Sequence, residues 1–370
     1  MKLLERHNPQ SRCVCIRLSI CGRTQCQETG YISGMGPEAP NIVRSAYAEL
    51  IVTDLQASRH FWVERLGFHI SAQEPGALYL RGYEEFVHHS LILRQGPIAA
   101  CAYYALRVRT PEDVTKARDW HGARGCEVRD IPAGTTLGVG DAIRVQDPFG
   151  FVVEYFHHME NAEKLHQRYD LRKGASINRL DHINIVTDDV RGSFDWYSEL
   201  GFGLSETIED SDGTLFAAWM FRKQTVHDVA FTQGSSPRLH HLAFAVPESH
   251  HILHLADVLG ATNEYDAIER GPGRHGVSNA FYLYLRDPDG HRVEIYTTDY
   301  FTGDPGFEPI RWSVHDKRRR DFWASPVVPK WYEEASRILD LDGNIVPMRE
   351  RRSDEQRITV GADGLGVTRK

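Results

Sequence analysis

The sequence predicts an α+β fold of four βαβββ modules in two tandem domains, closed by a C-terminal lid, and three observations support this. The first is a repeat. Ile51-Val-Thr-Asp54 matches Ile185-Val-Thr-Asp188, and Trp62 with Leu66-Gly-Phe68 matches Trp196 with Leu200-Gly-Phe202, at one offset of 134 positions. The second is that the ends repeat as well: Asp147-Pro-Phe-Gly150 leads to Glu154 as Asp287-Pro-Asp-Gly290 leads to Glu294. The third is period-two alternation in the closing segment, where Val293 and Ile295 take one face and Glu294 and Tyr296 the other.

Taken in order, residues 1–40 read as a disordered extension. Arg17 and Arg23 interrupt what would have to be the apolar core of a signal peptide, and Met35 reads as the natural start. Four cysteines (Cys13, Cys15, Cys21, Cys26) fall here without the pair-and-pair spacing of a zinc site. Residues 41–157 form the first domain and 179–298 the second. Each begins with an apolar strand, an Asp at a helix start, an amphipathic helix and a Leu-Gly stop. Short strands follow at Ala77–Leu80 and Ser90–Arg94, and at Leu215–Arg222 and Asp228–Thr232. Second modules open at Tyr103–Val108 and His241–Val246. Residues 299–370 make an aromatic-rich lid, a helix near Pro329–Asp340 and a polar, mobile tail.

Composition narrows the function. A net charge of −8 argues against nucleic acid or an anionic membrane surface as partner, and no apolar run is long enough for a transmembrane helix. Six cysteines, four of them in the first 26 residues, are no disulfide framework and fit a reducing cytosol.

The repeat also locates chemistry. A mid-strand carboxylate such as Glu294 is costly to bury unless a cation, an arginine or a metal, pairs with it; otherwise it faces solvent. At the offset of 134, His182 corresponds to Ala48; His241 corresponds to Tyr103, and Glu294 to Glu154. Only the second domain thus combines two histidines, each opening a strand, with the glutamate. Two imidazoles and one carboxylate on one face suit non-haem Fe(II), with positions left open for substrate and dioxygen.

Other motifs carry less. Gly271-Pro-Gly-Arg-His-Gly276 matches GxGxxG but precedes a strand, so a dinucleotide site is not expected. Its glycines suit a tight loop presenting Arg270, Arg274 and His275, either as a carboxylate clamp or as a solvated basic turn. His250 and His254 border solvent on a helix whose apolar face is Ile252, Leu255, Ala256 and Leu259. Arg318-Arg-Arg320, set among Trp312, Phe322 and Trp323, suits a lid over a cleft.

Four segments resemble one family: Asp181–Asp188, Trp219–Asp228, His240–Phe244 and Glu269–Tyr284. They are similar to the type I extradiol dioxygenases of the vicinal oxygen chelate superfamily, in particular those acting on 3,4-dihydroxyphenylacetate. The likeness runs from about Asn41 nearly to the C-terminus. It implies Fe(II), with Mn(II) as an alternative, held by His182, His241 and Glu294. By the same resemblance His227 and Tyr284 are catalytic, while Asn184, Trp219, Arg270, His275, Val277 and Arg320 meet the substrate. A catecholic arylacetate and O2 are the implied reactants, a muconic semialdehyde the product, and a homotetramer the assembly. A glyoxalase-like lyase of the same fold and a metal-free binding module are the rivals. The first would need more carboxylate ligands; retention of both histidines with Glu294 speaks against the second.

Overall fold

The computed structural model describes residues 36–349 and the backbones of two short strands, 358–360 and 367–369. The cysteine cluster, the Met35 start and the side chains of the last twenty residues lie outside the described residues. Of the expected extension, residues 36–40 are described, and Ala39 packs against the hydrophobic core.

Four βαβββ modules follow one another. The first is β1 (Ile42–Val52), α1 (Leu55–Arg59), β2 (His69–Glu74), β3 (Ala77–Arg81) and β4 (Leu91–Gln95). The second is β5 (Ala100–Val108), α2 (Pro111–Gly122), β6 (Glu127–Ile131), β7 (Ala142–Gln146) and β8 (Val152–Phe156). The third is β9 (Arg179–Thr187), α3 (Val190–Glu199), β10 (Gly203–Glu209), β11 (Leu215–Phe221) and β12 (Val229–Gln233). The fourth is β13 (Arg238–Ala245), α4 (Ser249–Ala261), β14 (Ile268–Arg274), β15 (Phe281–Arg286) and β16 (Arg292–Thr297). Each pair of modules shares one sheet. The orders are β2-β3-β4-β1-β5-β8-β7-β6 and β14-β15-β16-β13-β9-β12-β11-β10, the latter extended at its edge by β17 (Ile310–Ser313). Within each sheet the opening strands of the two modules pair antiparallel, β1 with β5 and β9 with β13. One face of each sheet packs under the helices through residues such as Leu50, Trp62, Leu106, Ile183, Leu242 and Ile295. The other face curves around the interior that holds the site.

Strand register corrects the repeat alignment. Tyr47 lies opposite Ala105, which lies opposite Glu154; His182 lies opposite Ala243, which lies opposite Glu294. The first-domain counterpart of His182 is therefore Tyr47, and Ala48 points to the helix side. The reason is local. One extra residue between Asp54 and Leu66 is taken up by a π-helical turn, His60–Arg65, which moves the shared Ile-Val-Thr-Asp string out of phase with the strand. The same slip explains the helix caps. Asp54 accepts the amides of Gln56 and Ala57, and the equivalent cap of α3 is Asp189, which accepts the Gly192 amide. Asp188 instead is buried, binding Ser236 Oγ and Arg349.

In the first domain the counterpart of the site is filled. Glu154 is fully buried, accepting a bond from the Tyr47 hydroxyl and one from Arg144 Nε at 2.8 Å. The Arg144 guanidinium lies 3.7 Å from the Tyr103 ring centre. A covalently tethered cation thus neutralises the carboxylate. Replacing Arg144 by Met strands that charge, and we expect a loss of about 3–5 kcal/mol in stability. Denaturant unfolding measures it.

The C-terminal region departs from expectation in one respect. The expected helix near Pro329–Asp340 is reduced to Lys330–Glu333. Beyond it the chain runs extended and borrows hydrogen bonds from both sheets, Ser336 pairing with Leu239 and Ile338 with Cys101. Backbone donors spent on two sheet ends are not available to continue a helix. Among the described residues no helix is long and apolar enough to cross a membrane.

Candidate metal centre and pocket

Three neighbouring central strands supply the centre: β9, β13 and β16. His182 and Glu294 flank Ala243 across the sheet, and the alanine's single methyl leaves space between them. His241 stands one pleat along β13, on the same face. All three side chains are buried, and their ligand atoms converge. His182 Nε2 and His241 Nε2 lie 3.2 and 3.1 Å from Glu294 Oε2, and 3.4 Å from each other. Bonds of about 2.1 Å at right angles place donor atoms about 3 Å apart, so a facial set of two nitrogens and one oxygen fits. Of the groups able to hold a cation among the described residues, these three form the one cluster found.

The shell behind the donors sets their tautomers. His182 Nδ1 lies 3.0 Å from Asp181 Oδ2, an acceptor that keeps the proton on Nδ1 and leaves Nε2 bare. Asp181 is itself held by Lys223, whose Nζ donates to the Asp181 carbonyl at 2.8 Å. His241 Nδ1 meets His240 Nδ1 at 2.7 Å, and His240 Nε2 meets the Trp331 carbonyl at 3.3 Å. The carbonyl demands a donor, so His240 carries its proton on Nε2 and accepts from His241, whose Nε2 is then free to ligate. Neither Asp181 nor His240 was singled out by sequence as a supporting residue, although each directly precedes a candidate ligand.

Electrostatics differ among the three donors. Burial, the largest influence on His182, opposes its charging, but Asp181 and Glu294 together hold its pKa above the ordinary value. For His241 burial outweighs Glu294 and the pKa falls to about 4. Glu294 is pushed up by burial, yet its bonds to both imidazoles bring it well below the usual carboxylate range. A divalent cation needs the carboxylate ionised and both imidazoles neutral, so its binding displaces the proton that Asp181 and Glu294 favour on His182.

The centre opens into a cavity of about 200 Å³ lined by all the expected site residues: Asn184, Trp219, His227, Arg270, His275, Val277, Tyr284 and Arg320 with the three donors. His227 lies with its ring 3.8 Å from that of His182, and its Nδ1 is buried without a partner among the described residues. Burial first, then His182 and Lys223, push its pKa well below the ordinary value. Asn184, two residues beyond His182 on the same face, accepts from Thr232 Oγ1 at 3.1 Å. Tyr284, opposite Glu294 in register, stays protonated because burial and then Glu294 raise its pKa. Its hydroxyl lies 2.8 Å from His275 Nε2, and His275 Nδ1 lies 2.6 Å from the Arg320 carbonyl. Arg270 donates to that same carbonyl at 2.7 Å, while its Nε has no partner among the described residues. Arg320 reaches Tyr332, and Arg319, which sequence reasoning grouped only with a charged run, is buried in the pocket wall with its pKa lowered to about 10 by burial. Arg274, by contrast, bonds the Asn279 carbonyl and does not line the pocket, and His250 and His254 are exposed on α4. The glycine-rich segment is strand over most of its length, ending at Arg274, so the loop proper is residues 275–279.

A double-module fold with a two-histidine, one-carboxylate centre on the second half defines a class. A family model described as Glyoxalase/Bleomycin resistance protein/Dioxygenase superfamily matches residues 44–155 and again 179–295, and the chain belongs to this superfamily. Among curated proteins it is 32% identical to the manganese-dependent 2,3-dihydroxybiphenyl 1,2-dioxygenase of Geobacillus genomosp. 3, over 77% of this chain and 94% of that one. It is 30% identical to the metapyrocatechase of Geobacillus stearothermophilus, over 79% and 93%. Among solved structures, homoprotocatechuate 2,3-dioxygenase from Brevibacterium fuscum in complex with 3,4-dihydroxyphenylacetate is 54% identical. Its TM-score is 0.84, covering 85% of this chain and 98% of that one. A room-temperature structure of an extradiol ring-cleaving dioxygenase from the same organism gives 54% and a TM-score of 0.86, covering 89% and 92%.

Proposed function

We propose that this chain is an extradiol dioxygenase that inserts both atoms of O2 into 3,4-dihydroxyphenylacetate at the 2,3 bond, giving 2-hydroxy-5-carboxymethylmuconate semialdehyde in aromatic catabolism. The observation that carries the reading is the convergence of His182, His241 and Glu294 on one buried point, open to a pocket lined by Arg270, Arg319 and Arg320. Likeness to the structure complexed with that catechol supports the substrate. In this reading residues 41–157 are a domain without metal, 179–298 the catalytic domain and 299–370 the lid and tail. The assembly is a homotetramer in the cytoplasm, a location supported by the free thiols of Cys101 and Cys126.

Fe(II) is the metal we assign to the three donors, with Mn(II) as the alternative that the manganese-dependent relative supports. Such a cation lowers the pKa of catechol hydroxyls and brings substrate and dioxygen into one coordination sphere. The protein's own groups do the rest. His227, neutral through burial, accepts a proton from the catechol and returns it as the ring opens. Tyr284 keeps its proton and, by turning its O–H from His275 Nε2, donates a hydrogen bond to a substrate oxygen. Asn184 and Trp219 shape the space beside the ring, with Val277 on the outer wall and His275 orienting Tyr284. Arg270 and Arg320 take the acetate group, since guanidinium forks match carboxylate geometry.

The test is aerobic addition of 3,4-dihydroxyphenylacetate to iron-loaded and manganese-loaded protein. An intense yellow ring-opened product is expected; no colour with any catechol overturns the reading. Within it, Arg270→Leu should weaken use of 3,4-dihydroxyphenylacetate roughly ten- to hundredfold in kcat/KM, the range of a lost charge-assisted hydrogen bond. Unsubstituted catechol should be affected far less. Equal losses for both would remove the clamp.

A further inference from the structure

Glu206 is a buried carboxylate that forms no ion pair among the described residues. The pairing of β10 with β11 slips between Leu204 and Glu206, a bulge that re-aims the side chain inward, where it is fully buried. Three donors meet it, each at 2.6 Å: the Ser278 amide and the Tyr300 hydroxyl on Oε1, and Trp312 Nε1 on Oε2. Among the described residues no Lys, Arg or His forms an ion pair with it. Desolvating a carboxylate without a counter-charge is expensive, and its pKa is raised by burial. The three donors nevertheless satisfy both oxygens.

Those donors come from three separate segments. Ser278 belongs to the turn Val277–Asn279, in which Ser278 and Asn279 both have positive φ, 59° and 56°, without either being glycine. Such backbone persists only where surrounding bonds over-determine it. Val277 and Ser278 line the pocket. Tyr300 follows the last strand of the fourth module, and Trp312 sits on β17, the strand that the lid adds beside β10.

We propose that Glu206 is a positioning residue for substrate recognition: Oε1 holds the strained wall turn of the pocket, and Oε2 docks the lid strand onto that wall. The inference rests on the catechol reading above for its kinetic consequence, but its structural half stands without it. The division of labour between the two oxygens is what makes it testable. Glutamine at 206 can keep its carbonyl toward Ser278 and Tyr300, but its amide then meets the Trp312 N–H, donor against donor. Alanine removes both functions.

Expected for Glu206→Ala is a KM for 3,4-dihydroxyphenylacetate raised by about tenfold or more, the range of a lost hydrogen bond to a charged group, with bound metal unchanged and kcat within about threefold. Amide exchange in 276–280 should accelerate. Glu206→Gln should raise KM less and leave 276–280 protected. Trp312→Phe, with Glu206 in place, should reproduce the Gln effect, and adding it to Glu206→Gln should cost nothing more. A protected turn in Glu206→Ala, or equal exchange in the Ala and Gln variants, overturns the proposal. So does a loss of metal or kcat at unchanged KM. If the unmodified protein cleaves no catechol, the functional reading fails, while the exchange measurements still decide whether Glu206 holds the turn.

Discussion

Replacing His241 by alanine is expected to empty the metal centre. Loss of an outer partner of a ligand alone costs about 10–100-fold in metal affinity, and loss of the ligand itself should exceed that. His241 Nε2 is 3.1 Å from Glu294 Oε2, and two neighbouring imidazoles are committed elsewhere: His240 bonds the Trp331 carbonyl and His275 the Arg320 carbonyl. His227 stands beside His182, the two rings 3.8 Å apart, and does not occupy the place of His241 on β13. Metal analysis after loading with Fe(II) or Mn(II) and desalting should find the variant depleted and ring cleavage at background. His254→Ala, on the exposed side of α4, is the control and should keep its metal. Stoichiometric metal in both His241→Ala and His182→Ala would show that the cation sits elsewhere.

His227→Phe should give the opposite pattern: full metal content and turnover lowered by about 10²–10⁴, the usual worth of a positioned proton-transfer group. Phenylalanine can occupy the place beside His182, where the two rings lie 3.8 Å apart, so the pocket wall survives while the proposed proton acceptor is lost. Single-turnover kinetics beside metal analysis separates the two effects. Wild-type turnover in this variant would assign the proton steps to another group.

Much of this was legible in the sequence, because duplication writes the fold twice. Strand alternation around Glu294 and the Leu-Gly helix stops marked the modules, and the histidines absent from one copy pointed to the three groups that the structure brings together. What escaped had physical causes. A π-helical turn at His60–Arg65 leaves no compositional mark, so the string comparison chose Ala48 where the sheet chooses Tyr47. The Pro329 start suggested a long helix, but pairing of residues 336 and 338 with the two sheets is a non-local competition that no window of sequence reports. Arg319 looked like one third of a solvated run; only folding shows that its Nε and one terminal nitrogen are spent on the Val314 carbonyl. His240 and Asp181 act at one remove, and their roles depend on the atoms behind them.

The contrast between Arg144 and the paired histidines has a wider consequence. Two copies of one scaffold face the same problem, a glutamate buried in mid-sheet, and answer it differently. A guanidinium built into the chain is present at any ion concentration and cannot be washed out, but it offers no vacant coordination position to a reactant. A cation held by His182, His241 and Glu294 would have to be recruited from the medium, so that occupancy of the second half would follow mass action. One half would then have permanence without reactivity, and the other reactivity on loan from its surroundings.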